Sequence, residues 1–171
     1  MNRVIAIVGY ANSGKTELIC RLLEWFQRQG LNVAVLKHTH HQEVADTGKD
    51  TGRYRRAGAS LVALAAPGLV QVTRTYTAEP PLAEALAPFI EAADLVLVEG
   101  YKSSQLPKIA VLGREAGDAA PALPPFPNIV ALVSPTPPAG SPWPVFNPAQ
   151  VDELGRFILS LLGLPQPQPE T

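Results

Sequence analysis

Two glycines, a lysine and a hydroxyl residue stand at the Gly-x4-Gly-Lys-Thr spacing in Gly9-Tyr10-Ala11-Asn12-Ser13-Gly14-Lys15-Thr16. This is the spacing of a phosphate-binding P-loop. Gly9 and Gly14 admit backbone conformations that a Cβ forbids, so successive N–H groups can converge on one anion. Lys15 is expected to neutralise the β- and γ-phosphates of a nucleotide, and the Thr16 hydroxyl to ligate Mg²⁺. A carboxylate belongs to the same chemistry. The stretch Asp94-Leu95-Val96-Leu97-Val98-Glu99-Gly100 carries an acid at each end of an apolar run. As a strand it separates the two acids by roughly 17 Å, so only one can serve a given sheet edge. Glu99, at the carboxyl end, reads as the Walker-B-type acid that holds the metal through its water shell or orients water. Asp94 reads as a strand-start or helix-end residue. Gly100 lets the backbone approach the γ-phosphate.

The elements that must position these groups are legible on either side. Val4-Ile5-Ala6-Ile7-Val8 is an unbroken apolar run that suits a strand buried on both faces. After the loop, Leu18, Ile19, Leu22, Leu23 and Phe26 recur at helical spacing, so the loop opens a helix whose positive dipole end faces the same anion. Gly30 closes that helix, and Val33 to Leu36 forms a second strand of a parallel β-α-β unit. Strands are also expected at Leu95–Val98, Pro107–Leu112 and Ile129–Val133. A hairpin is expected over Leu61–Leu64 and Leu69–Thr73 about the turn at Pro67-Gly68. Its second strand alternates, which leaves one face for solvent or a partner chain. Helices are expected at Leu82–Ala92, interrupted or bent near Pro88, and at Gln150–Leu162, with Val151, Leu154, Phe157, Ile158 and Leu161 on one face. The result is an α/β P-loop NTPase fold: a mostly parallel sheet with an antiparallel hairpin extension, flanked by helices. Residues 1–163 form one domain, and residues 164–171 a disordered, proline-rich tail. Ten prolines between Pro121 and Pro148 mark stiff connecting loops.

Other candidates admit two readings. His38, His40 and His41, all the histidines of the chain, follow the second strand. They read either as a transition-metal site or as a polar strand end beside bound phosphate. Asp46-Thr47-Gly48-Lys49-Asp50-Thr51 leads into a short helix, capped by Asp50 or Thr51 and ending near Gly58. With Arg53, Arg55 and Arg56 it is either a solvated basic face or a functional rim. Cys20 reads as a small core residue of the first helix; a single cysteine excludes a disulfide framework and points to the cytoplasm. The formal charge of −1 opposes a nucleic-acid partner, and neither a membrane span nor a signal peptide is expected.

With these stretches in place, the chain resembles the molybdopterin-guanine dinucleotide biosynthesis adaptor family (MobB) from Val4 to about Leu162. Four signatures in order carry the resemblance: residues 9–18, the Lys37/His38/His40 strand end, Asp46 to Thr51 with Ala57-Gly58, and Leu95 to Lys102 followed by Pro107-Lys108. The resemblance implies a homodimer that binds GTP with Mg²⁺ and at most hydrolyses it slowly. It implies a nucleotidyltransferase partner that attaches GMP to molybdopterin, with molybdopterin itself a further candidate ligand. Carried onto this chain, Gly9, Asn12, Ser13, Gly14, Lys15, Thr16 and Glu17 bind nucleotide, Thr16 and Glu99 hold Mg²⁺, and Glu99 and Lys15 serve hydrolysis. Lys49, Asp50 and Lys102 form the rim of the nucleotide site, and Gly100 is expected to contact the nucleotide as well. Ser134 stands where many relatives have an aspartate suited to reading guanine, which weakens the expected preference for GTP over ATP. The competing class is a P-loop kinase acting on a small molecule, with Arg53, Arg55 and Arg56 as its lid arginines.

Overall fold

The computed structural model describes residues 3–39, 49–113 and 122–167. The chain divides into two compact units, one made of Met1–His38 with Leu86–Thr171, the other of Thr39–Ala85.

In the first unit a six-stranded sheet is built from β1 (Val4–Val8), β2 (Val33–Lys37), β5 (Leu95–Glu99), β6 (Lys108–Val111), β7 (Ile129–Val133) and β8 (Val145–Phe146). Their order is β2-β5-β1-β6-β7-β8, and every pairing is parallel. The unbroken apolar runs take the inner places because both of their faces are covered: Val4 to Val8 and Leu95 to Val98 are fully buried. β1 and β2 are parallel but not neighbours, since β5 lies between them. The chain therefore leaves β1 toward one side and later crosses to β6 on the other. Ligands of open α/β sheets bind at such a switch point, outside the carboxyl ends of the strands.

Helix α1 (Lys15–Arg28) and helix α4 (Val151–Leu162) pack together over one face of this sheet. The buried side of α1 is Leu18, Ile19, Leu22, Trp25 and Phe26. Cys20 is exposed, contrary to the sequence expectation, because it projects from the opposite side of that stripe. In α4, Leu159 is buried in place of the expected Leu161, which is 41% exposed. After α4, Leu164 donates its N–H to Leu159 O (2.9 Å) and packs against the core. Strand β8 falls at the end of the second proline-rich loop, where no strand was expected; two residues carry no readable alternation.

The second unit holds α2 (Asp50–Arg56) and the hairpin β3 (Leu61–Ala66) and β4 (Leu69–Arg74), which forms a two-stranded sheet of its own. The N-cap of α2 is Lys49, without a side-chain cap bond, rather than Asp50 or Thr51. Helix α3 (Leu82–Ala92) runs through Pro88 as one element. Among the described residues no helix is long and apolar enough to cross a membrane.

Candidate functional site

The loop between β1 and α1 is shaped for an anion. Asn12 (φ 59°) and Gly14 (φ 89°, ψ 12°) both take positive φ, and such alternation turns backbone N–H groups into one concavity. Gly14 is the N-cap of α1 and no side chain caps the first turn, so the helix N–H groups stay available to a ligand. At Gly9 a Cβ would lie 2.4 Å from Val111 O and 2.7 Å from the Ser13 hydroxyl, so the loop folds this tightly only around glycine. The buried Ser13 hydroxyl has no hydrogen-bond partner among the described residues.

Four charged groups gather at the carboxyl edge of the sheet. Lys15 donates from Nζ to Tyr10 O at 2.6 Å, closing on its own loop. Burial lowers its pKa; Glu99 opposes that shift, and Lys102 and Lys37 reinforce it. Three ammonium groups and one carboxylate thus share this edge, an electrostatic setting that favours a polyanion. Glu99, 9% exposed, receives the Thr16 hydroxyl at 3.4 Å (Oε1) and 3.3 Å (Oε2), and its Oε1 lies 3.2 Å from Lys37 Nζ. Lys102 Nζ stands 5.3 Å above the Tyr10 ring and 5.6 Å from the Phe126 ring, which steers the ammonium by cation–π attraction. Asp94 marks the opposite edge, where its Oδ2 accepts the Asn32 N–H at 2.9 Å.

Local backbone explains why the acid sits so. Register pairs Glu99 with both Ile7 and Lys37, and Glu99 O accepts the His38 N–H at 2.8 Å. Gly100 follows with φ 100°, and a Cβ there would press within 3.1 Å of His38 Cβ. His38 stacks at 4.2 Å on Tyr101; His40 and His41 lie outside the described residues, as do Asp46, Thr47 and Gly48. No cluster of three His, Cys, Asp or Glu side chains gathers to hold a metal ion among the described residues. The Thr16–Glu99 pair offers one hydroxyl and one carboxylate. Such hard oxygen donors suit Mg²⁺, which takes most of its shell from water and substrate phosphates.

Beside the loop opens a cleft of about 500 Å³ at the ends of β6 and β7 and the start of α1. Its polar lining is Ser13, Glu17, Arg21 and Asn147. Arg21 also donates to Pro148 O at 2.7 Å, tying α1 to the loop before α4. Ser134, next to the cleft-lining Val133 and Pro135, is 2% exposed and its hydroxyl donates to Thr136 O at 2.6 Å. Lys49 and Asp50 belong to the second unit, where Asp50 Oδ1 meets Arg53 Nη1 at 3.4 Å. Sequence reasoning missed Arg21 and Asn147 as cleft residues, since neither lies in a motif. It also missed the Lys37–Glu99 contact, because the pairing of β2 with β5 that brings the two strand ends together is set by the sheet order and not by either strand's sequence.

This fold and loop define a P-loop NTPase-fold protein, and the comparisons agree. Residues 4–135 match the family of molybdopterin guanine dinucleotide synthesis protein B, and the chain belongs to that family. It is 36% identical over 134 residues to the probable molybdopterin-guanine dinucleotide biosynthesis adapter protein of Bacillus subtilis, covering 76% of this chain and 75% of that one. It is 30% identical over 138 residues to the corresponding adapter protein of Escherichia coli, covering 78% and 79%. Among solved structures, a MobB homolog from Bacillus stearothermophilus aligns over 95% of this chain and 99% of its own, with TM-score 0.70 and 32% identity. Bacillus subtilis MobB aligns over 93% and 97%, with TM-score 0.69 and 27% identity.

Proposed function

We propose that this protein is an adapter of molybdopterin guanine dinucleotide biosynthesis that binds GTP with Mg²⁺ and assists a guanylyltransferase in attaching GMP to molybdopterin. The observation that carries the reading is the convergence of the positive-φ loop, the uncapped start of α1, Lys15 and the Thr16–Glu99 pair on one sheet edge. Membership in the family, whose relatives are named adapters of that pathway, supplies the biological setting.

Each side chain then has a defined task. The loop N–H groups and Lys15 bind the phosphates, with Lys102 adding charge from its aromatic seat. Thr16 and Glu99 hold the metal, which supplies charge neutralisation for the transferring phosphoryl group when bound. The cleft lined by Glu17, Arg21 and Asn147 takes the nucleoside. Efficient hydrolysis also needs a group that orients water and a cation placed on the transferring phosphate. The isolated protein is therefore a slow GTPase, and two copies assemble through the hairpin. Affinity capture from a molybdate-grown bacterial host tests the adapter role. The expected result is co-purification of the guanylyltransferase, reduced by Lys15→Ala. Capture of no enzyme of the pathway, together with GTP-dependent phosphorylation of a small metabolite, would move the assignment to a kinase.

A further inference from the structure

Lys37 ends β2 directly opposite Glu99 in the parallel register, and its Nζ lies 3.2 Å from Glu99 Oε1. The same carboxylate receives the Thr16 hydroxyl on both oxygens. Glu99 is 9% exposed, and a carboxylate so buried must be neutralised by something. Lys37 does this with a side chain that is 59% exposed, so the ammonium can swing into water with little loss. A divalent cation held by Thr16 and Glu99 makes the lysine redundant and repels it. Among the described residues, the Glu99 carboxylate meets the Thr16 hydroxyl and the Lys37 ammonium, with Lys15 adding to the local charge.

We propose that Lys37 is a tethered cation that holds Glu99 until a divalent ion replaces it, and so sets the metal dependence of nucleotide binding. This rests on the nucleotide reading given above. Without metal, Lys37 neutralises Glu99, which would otherwise repel the phosphates, and adds its own attraction to them. With metal, it competes for the carboxylate. Both effects narrow the difference between metal-bound and metal-free affinity, so Lys37 is a positioning residue that lets the site accept nucleotide before its metal.

The test is calorimetric titration of GTP into the full chain, once with Mg²⁺ and once with EDTA, for wild type, Lys37→Gln and Lys37→Arg. The ratio of the two dissociation constants is expected to rise at least about threefold in Lys37→Gln and to stay within about twofold of wild type in Lys37→Arg. Lys37→Met, which keeps the apolar stem, is the second neutral variant should the glutamine form fail to fold. A merely structural lysine would lower both affinities together and leave the ratio unchanged. An unchanged or smaller ratio in the neutral variants overturns the proposal. A wild type that takes up GTP in neither buffer overturns the nucleotide reading itself, and the wild-type titration alone tells the two failures apart.

Discussion

Glu99 and Ser134 are both buried polar residues at strand ends, yet their surroundings give them opposite roles. Glu99 meets a hydroxyl and a mobile ammonium, so its charge is available to a metal. Glu99→Gln keeps the shape and removes the charge. The variant is expected to fold and to bind GTP with a weaker dependence on Mg²⁺; full Mg²⁺-dependent hydrolysis in that variant would contradict the assignment. The Ser134 hydroxyl is spent on Thr136 O, which leaves no donor for a base edge. Specificity is then expected to come from the neighbouring cleft. Competition binding is expected to show a modest preference for GTP over ATP, changed by less than about threefold in Ser134→Ala, because a hydroxyl already engaged by Thr136 O carries little discrimination between bases. A Ser134→Ala variant that loses all preference would return the base-reading role to this residue.

At the scale of elements, the strand β1 and helix α1 on either side of the loop were legible, because an apolar run, a spaced motif and a helical stripe agree with one another, although Cys20 was assigned to the core and the buried Trp25 was not named. The strand order was less so. Nothing in Val4–Val8 or Val33–Lys37 says that β5 will lie between them, since sheet neighbours are chosen by packing across the whole chain. One position of the α4 face was misassigned where apolar residues are crowded: Leu159 and Leu161 are equally apolar and only tertiary contacts decide between them. Those contacts also explain Gly155. It sits in α4 where a Cβ would come within 2.4 Å of Trp25 Cε3, so it lets α4 close down on α1. Gly155→Ala is expected to destabilise the protein by about 1–3 kcal/mol through overpacking, despite the better helix propensity of alanine. Urea denaturation measures it, and a stabilised variant would mean that the two helices can separate freely.

On the whole-molecule scale, the hairpin is the part that asks for a partner. Register places Leu61, Val70 and Val72 on one face with Ala63 and Ala65, and the three large residues are 53%, 63% and 60% exposed. Apolar faces of that kind mark interaction surfaces. Light scattering at micromolar concentration is expected to give a homodimer that Val72→Lys converts to monomer; a monomeric wild type refutes the assembly. Phosphate release by the isolated protein is expected to stay below about one turnover per minute, because fast hydrolysis needs both a group that orients water and a cation fixed on the transferring phosphate.

The proposed function depends on the loop between β1 and α1, and one measurement tests that loop most directly. Titration calorimetry of GTP with Mg²⁺ into wild type and Lys15→Ala compares the site with and without the ammonium nearest its backbone cradle. The wild type is expected to bind, and the variant to lose at least about tenfold in affinity, or about 1.4 kcal/mol. Equal affinity in the two proteins, or no binding by the wild type, would contradict the assignment of Gly9–Thr16 as the nucleotide site.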